Sequence, residues 1–267
     1  MKKIILSTAA LGLLASAATT ANAIDFSGDL GVSISADYVS EYVFRGVSFS
    51  NTAIQPGIEL SKGGFTLGTW ASIAVGETSV LAADEIDLYG GYGWDLTDTV
   101  SASVGFTIYH FPINGGLFDI EASGGSTLEL NAGVALDTVL SPSLTAYYDL
   151  NFESFTLEGS VGHSVPVADK TSFDLGLTAG LVDVDGGNYE WATGSAALSY
   201  SFTDDASIYV GANFSVNSED LLDFVTFGDL EDFIAEGNDV DLDDLSNVTF
   251  QNDDTLFWAG VGVSSSF

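Results

Sequence analysis

Cysteine is absent from the chain. Disulfides, thiol catalysis, redox work and cysteine-held zinc are excluded with it. Basic residues are nearly as scarce: 5 Lys and Arg stand against 38 Asp and Glu, and Arg45 is the one arginine. Neutralising phosphates needs clustered lysine and arginine, so nucleic acid is excluded as a partner. Long apolar runs are also missing. Beyond the N-terminal stretch there is no run of about 18 apolar residues, so no spanning helix is expected.

The N-terminal stretch reads as an export signal. Lys2 and Lys3 give a basic start, Ile4 to about Ala18 is apolar and small, and Ala21-Asn22-Ala23 fits a small-residue cleavage site. An anchoring helix is disfavoured, because Ser and Thr interrupt a run that is already short. Residues 1–23 are therefore expected to be a cleaved secretory signal peptide of a bacterium, and 24–267 a single domain. Losing Lys2 and Lys3 takes the formal charge from −33 to −35. Such acidity suits a saline habitat or a cation-selective surface, and composition chooses neither.

What the chain has in abundance is alternation. Twelve segments of alternating apolar and small or polar residues lie near 30–45, 53–60, 64–75, 84–95, 99–110, 126–137, 143–152, 154–163, 171–182, 188–202, 205–217 and 255–267. Period two without helical periodicity predicts an all-β chain. The even count suits a transmembrane antiparallel up-and-down β-barrel of about 12 strands, with both termini in the periplasm. Short connections (61–64, 95–98, 137–142, 202–205) suit periplasmic turns, and long ones (76–83, 111–125, 218–254) extracellular loops. Two connections, 151–154 and 183–188, are short where long ones are expected.

The faces support this reading. Leu128, Leu130, Ala132, Val134 and Leu136 oppose Glu129, Asn131 and Gly133. A soluble sandwich would bury the apolar set; with an export signal and a wet opposite face, lipid outside and water inside is the expectation. Phe257, Ala259, Val261, Val263 and the terminal Phe267 share a face, which Ser265 interrupts. An aromatic last residue resembles the assembly signal of bacterial outer-membrane barrels, so the barrel-assembly machinery is an expected partner of this strand. Aromatic pairs near segment ends (Tyr92/Trp94, Tyr109/Phe111, Tyr147/Tyr148, Tyr189/Trp191, Tyr200/Phe202) fit girdles at the two interfaces, with ordinary strand propensity as the alternative.

The stretch Asp37–Asn51, DYVSEYVFRGVSFSN, carries the lone arginine. Its alternation places Tyr38, Tyr42 and Phe44 on one face and Asp37, Glu41 and Arg45 on the other. Together with Ala53–Gly57 (AIQPG) and Gly68–Ser72 (GTWAS), it resembles the opening of the TorF-type porin family of proteobacteria. The resemblance implies an outer-membrane barrel with a diffusion role, and it supplies no substrate.

Candidate functional residues follow from the faces. Asp37, Glu41, Glu85, Asp87, Glu129, Asp149, Glu158 and Asp174 all fall on the expected inner face, with Arg45 the one inward base. A carboxylate facing lipid costs a few kcal/mol at mid-membrane, so these acids belong in water. An acidic pore concentrates cations, and Arg45, paired with Glu41 or an acid of a neighbouring strand, would shape the constriction. Alternatively the acids satisfy one another in a plugged wall, because twelve strands lie between a side-chain-filled and an aqueous lumen. The loop 218–254 holds thirteen of the 38 acids. Asp239, Asp241 and Asp243 are weak metal candidates: Asp244 stands where an EF-hand needs Gly, and Phe250 where it needs Glu. A solvated acidic loop is the preferred reading.

An enzyme reading would rest on the two histidines. Outer-membrane phospholipases use Ser and His at the outer rim, yet Pro112 stands two residues after His110, where their serine would be. His163 is expected in a periplasmic turn. No reactive constellation emerges and no cofactor is expected.

The expected function is passive diffusion of small hydrophilic solutes or ions through an outer-membrane porin-like channel, with a cation preference. The alternative is a non-conducting structural or adhesive barrel with acidic surface loops, and a lipid hydrolase ranks third. Outer-membrane lipid and lipopolysaccharide are the expected surroundings. Oligomeric state is left open between monomer and trimer.

Overall fold

The computed structural model describes residues 30–75, 84–120, 125–184, 187–218 and 255–267. The expected leader, nearly all of the acidic loop, and with it Asp239, Asp241 and Asp243, lie outside the described residues. Fourteen strands make up the regular structure described: β1 (Gly31–Val39), β2 (Tyr42–Phe44), β3 (Val47–Ser50), β4 (Ala53–Lys62), β5 (Phe65–Ala74), β6 (Asp84–Asp95), β7 (Val100–His110), β8 (Ser126–Leu136), β9 (Ser143–Asp149), β10 (Ser154–Ala168), β11 (Thr171–Val184), β12 (Gly187–Ser201), β13 (Ala206–Asn217) and β14 (Thr255–Ser266). Twelve of them form one closed barrel in the order β1-β14-β13-β12-β11-β10-β9-β8-β7-β6-β5-β4, while β2 and β3 form a separate two-stranded sheet.

Neighbouring wall strands pair antiparallel, and the seam between the first and last strands runs from Ser33 opposite Ser266 to Val39 opposite Gly260. A closed wall leaves no unpaired edge, which is the condition for a sheet to cross a bilayer. The wall is the one that the alternation predicts, with ends close to those expected apart from the first segment and the tail of β10. There Pro166 falls at a register shift before Ala168, a position where a strand tolerates its missing N–H.

The two faces are inverted relative to a soluble protein. Ile34, Tyr38, Ile58, Leu67, Leu130, Leu177, Val210 and Phe257 are exposed on the outside, while Asp37, Gln55, Glu85, Asp87, Glu129 and Asn213 are buried within. Paired residues on adjacent strands face the same way, so each outward apolar residue sits beside others, as in Tyr38 opposite Val261 and Val261 opposite Val210.

Three expectations are corrected. The first segment is not one strand to residue 45: β1 ends at Val39, and Tyr42 and Phe44 leave the lipid face that Tyr38 keeps. Tyr109, Tyr147, Tyr189 and Trp191 do not join interface girdles. Their registers opposite Thr127, Asn131, Val182 and Gly180 turn them inward. His163 lies within β10, not in a turn, and its Nδ1 donates to the Val139 carbonyl at 2.8 Å.

Lipid contact predicts how substitutions divide. Val261→Arg, at mid-height on the outside, should lower folding free energy in lipid vesicles by about 2–4 kcal/mol. Ala135→Arg, inward near a turn, should cost much less. Urea titration of vesicle-inserted protein checks both.

Candidate functional site

The inner sheet is a hairpin folded into the lumen. β2 and β3 are joined by Arg45 and Gly46, with Phe44 opposite Val47. Both turn residues have positive φ, 49° at Arg45 and 80° at Gly46. This is the pattern of a type I′ turn, whose twist suits a tight hairpin. Gly46 is required twice over. Its backbone is left-handed, and a Cβ there would lie 2.6 Å from Cβ of Trp191. Arg45 in the same region costs about 1–2 kcal/mol of backbone strain, so something must hold it.

What holds it is the wall opposite. Arg45 Nη1 and Nη2 donate to the two carboxylate oxygens of Glu129 on β8 at 2.7 and 2.9 Å. The Tyr109 hydroxyl donates to the same carboxylate at 2.9 Å. The guanidinium lies 4.7 Å from the Phe44 ring centroid and 4.5 Å from that of Tyr147. A planar fork on a carboxylate, stacked between rings, is the geometry arginine provides and lysine does not. Glu41, the partner weighed from sequence, does not take this arginine; a neighbouring strand does not either, since β8 lies five strands round the wall from β1.

The remaining hairpin side chains touch the wall on other sides. Tyr42 donates to Glu85 at 3.0 Å and packs on Trp70 and Phe49, with ring centroids 5.5 Å away in each case. Val43 clusters with Leu256 and Trp258, and Val47 with Val182, Tyr189 and Trp191. Asn217 Nδ2 donates to the Gly46 carbonyl at 2.6 Å. The ring of Trp191 lies over Gly180, where any larger residue would displace it. One hairpin therefore spans the bore.

The bore has two halves. Around the hairpin, toward the end of the long connections, it is lined by Trp70, Tyr109, Tyr147, Tyr189, Trp191 and Trp258. Toward the short turns the inward positions are small hydroxyl residues, among them Ser35, Ser103, Ser143, Ser160, Ser195 and Ser264.

The structure places the sequence-derived acids as follows. Glu85 and Asp87 lie side by side on β6 beneath Tyr42, and Asp149 takes the Thr127 hydroxyl and the backbone N–H groups of Asn151 and Phe152. Asp37 accepts from the Tyr209 hydroxyl at 2.8 Å. Asp174 is held by Ser164, Ser172 and Ser199. Glu158 has a long contact from the Tyr147 hydroxyl at 3.5 Å. Glu41 lies between β1 and β2, with no hydrogen-bond partner among the described residues. Sequence reasoning missed Glu59, an inward acid tied to Tyr89 at 3.2 Å. It also missed the hairpin, although Gly46 in the middle of the stretch is a turn signal. No group of three or more metal-ligating side chains occurs among the described residues.

At the rim, His110 meets Ser126 across the β7–β8 pair, with Nδ1 3.0 Å from Oγ. This is not a nucleophile and its base. Nδ1 is also 3.0 Å from the Gly125 carbonyl, which can only accept, so that nitrogen carries the proton. The Ser126 hydroxyl is within 2.9 Å of the Leu117 carbonyl and donates there. The pair ties Leu117 and Gly125 to the wall.

Residues 17–218 match the profile of a family described as "Bacterial protein of unknown function (Gcw_chp)". No curated protein matches the chain in sequence. Among solved structures it is similar to a "KdgM porin in complex with disordered oligogalacturonate", at 12% identity and a TM-score of 0.53, over 89% of this chain and 99% of that one. It is also similar to the NanC porin, at 12% identity and a TM-score of 0.51, over 88% of this chain and 98% of that one. At such identity the likeness shows a common barrel fold.

Seating of the hairpin predicts a further result. Gly46→Val should leave the barrel folded but expel the hairpin, red-shifting tryptophan emission as Trp70, Trp191 and Trp258 lose their cover. Unheated gel mobility reports the wall, and fluorescence the hairpin.

Proposed function

The chain belongs to the Gcw_chp family of bacterial proteins of unknown function, and we propose that it is a porin-like channel of the outer membrane with the hairpin as its constriction. Small hydrophilic solutes and ions would cross by diffusion, with cations favoured. The single observation that carries this is the inverted barrel: apolar residues outside, and inside a hydroxyl-lined bore in which Arg45 stands as the lone base among the inward acids described. Carboxylates on a low-dielectric wall raise the local concentration of cations and repel anions. An oligogalacturonate, the ligand named with one of the similar porins, carries a carboxylate on each sugar and would be repelled here. We therefore propose cationic or neutral solutes. Export behind residues 1–23, assembly through the strand ending at Phe267, and kinship with the TorF-type porins belong to the same reading.

A second reading is favoured by one observation, the hairpin itself. A bore spanned from β5 to β14 would suit a non-conducting structural barrel. Planar bilayers separate the two: the purified protein should give stepwise conductance, and its reliable absence would favour the structural barrel. Arg45→Ala should enlarge the steps. Breaking one side of a buried ion pair costs about 3–5 kcal/mol, and here that loss falls on the hairpin's tether to β8. Unchanged current and reversal potential would remove Arg45 from the pathway.

A further inference from the structure

We propose that, with the hairpin seated, ions pass through the cleft between it and the β10–β12 side of the wall, and that Glu158, with Glu41 in the same cleft, makes this route select cations. The inference rests on the channel reading and assigns its route and its selecting groups.

The inward acids differ in how far they are available to a passing ion. Glu129 is spent on Arg45 and Tyr109, and Asp149 on a threonine and two backbone N–H groups. Glu85 and Asp87 are buried beneath Tyr42. Asp37 and Glu59 accept from tyrosines, and Asp174 from three serines. A carboxylate with its lone pairs occupied by donors has less left for a mobile cation. Two acids differ: the one hydrogen bond of Glu158 is at the long limit of 3.5 Å, and Glu41 has no hydrogen-bond partner among the described residues.

The second step is space. Beside the hairpin lies a cavity of about 60 Å³ whose lining includes Glu41, Gln55, Glu158, Thr178 and Thr193, with Trp258 at its edge. About 10–15 Å³ of such space holds one water, so the cleft has room for a partly hydrated monovalent ion, while a small-molecule site of about 300–1,000 Å³ is far larger. Its oxygens can replace lost hydration water: two carboxylates, an amide and two hydroxyls. Arg45 also borders it, with both Nη atoms turned to Glu129. Toward the short turns, the next inward positions on these strands are Ser160, Gly176 and Ser195, all small. An ion leaving the cleft thus enters the hydroxyl-lined half.

This also separates two kinds of traffic. With the hairpin in place the route takes ions, whereas larger solutes need the hairpin displaced.

The test is reversal potential across a KCl gradient in planar bilayers. Glu158→Gln should keep the single-channel steps but lower the cation-to-anion permeability ratio about fivefold, the factor set by about 1 kcal/mol of attraction to a unit charge at 4 Å in water. Glu59→Gln, which alters an acid tied elsewhere in the bore, should leave the ratio unchanged. A second measurement uses the absence of native cysteine: Thr178→Cys should make the current sensitive to block by Ag⁺, an ion small enough for the cleft. Persistent current with an unchanged ratio in Glu158→Gln, or no Ag⁺ block in Thr178→Cys, would overturn the route while leaving the channel standing. Absence of any current in the unaltered protein would overturn both.

Discussion

Every backbone N–H and C=O of the wall must find its partner within the wall, because hydrocarbon offers none. The seam between β1 and β14 meets that condition, from Ser33–Ser266 up to Val39–Gly260. Closing twelve strands also fixes the bore, wider than side chains from the wall alone can fill and narrower than an open porin. Among the described residues, one connection enters to fill part of that excess. The connection between β1 and β4 could have been a short turn; instead it is long enough to form a hairpin and enter the lumen.

That hairpin is positioned by polar contacts at its tip and by apolar packing along its sides, where Tyr42, Phe44 and Phe49 pack in one cluster with Trp70. Its aliphatic contacts come from Val43 and Val47, while its tip is fixed by Arg45 on Glu129 and by Asn217 on the Gly46 carbonyl. Taking an ion pair out of water costs much of what the attraction returns, so such a pair contributes position more surely than stability. The strained backbone of Arg45 fits this account. A two-residue turn directs the side chain across the bore, and Glu129, with Tyr109 and Tyr147 beside the pair, receives it. With a single arginine in the chain, no second guanidinium competes for Glu129.

The wall was legible in the sequence because lipid and water impose period two on every strand that separates them. Ile208, Val210, Ala212, Phe214 and Val216 face out on β13, and Ser207, Tyr209, Gly211, Asn213 and Ser215 face in, as their alternation indicates. The same rule hid the hairpin. Alternation continues through Tyr42 and Phe44 whether a strand faces lipid or lies within the bore, so a periodic reading extends β1 too far. The aromatics failed similarly: a tyrosine near a strand end suits a headgroup as well as a lumen, and only the register showed that Tyr147 faces in and Tyr148 out. Nor could sequence separation indicate that Arg45 and Glu129, 84 residues apart, would meet.

The acids show why charge counting stops short of mechanism. Inward carboxylates can be recognised from parity, but parity does not say which retain capacity for an ion. Hydroxyl neighbours decide that. Asp174 sits among serines supplied by β10, β11 and β12, whereas Glu158 has only a distant tyrosine and lies next to Gly180, the residue that gives way to Trp191. The glycine that admits the tryptophan also deprives Glu158 of a neighbouring donor side chain. Packing of the hairpin and exposure of the carboxylate therefore share one cause. A substitution that filled Gly180 would disturb both the seat of the constriction and the charge beside it.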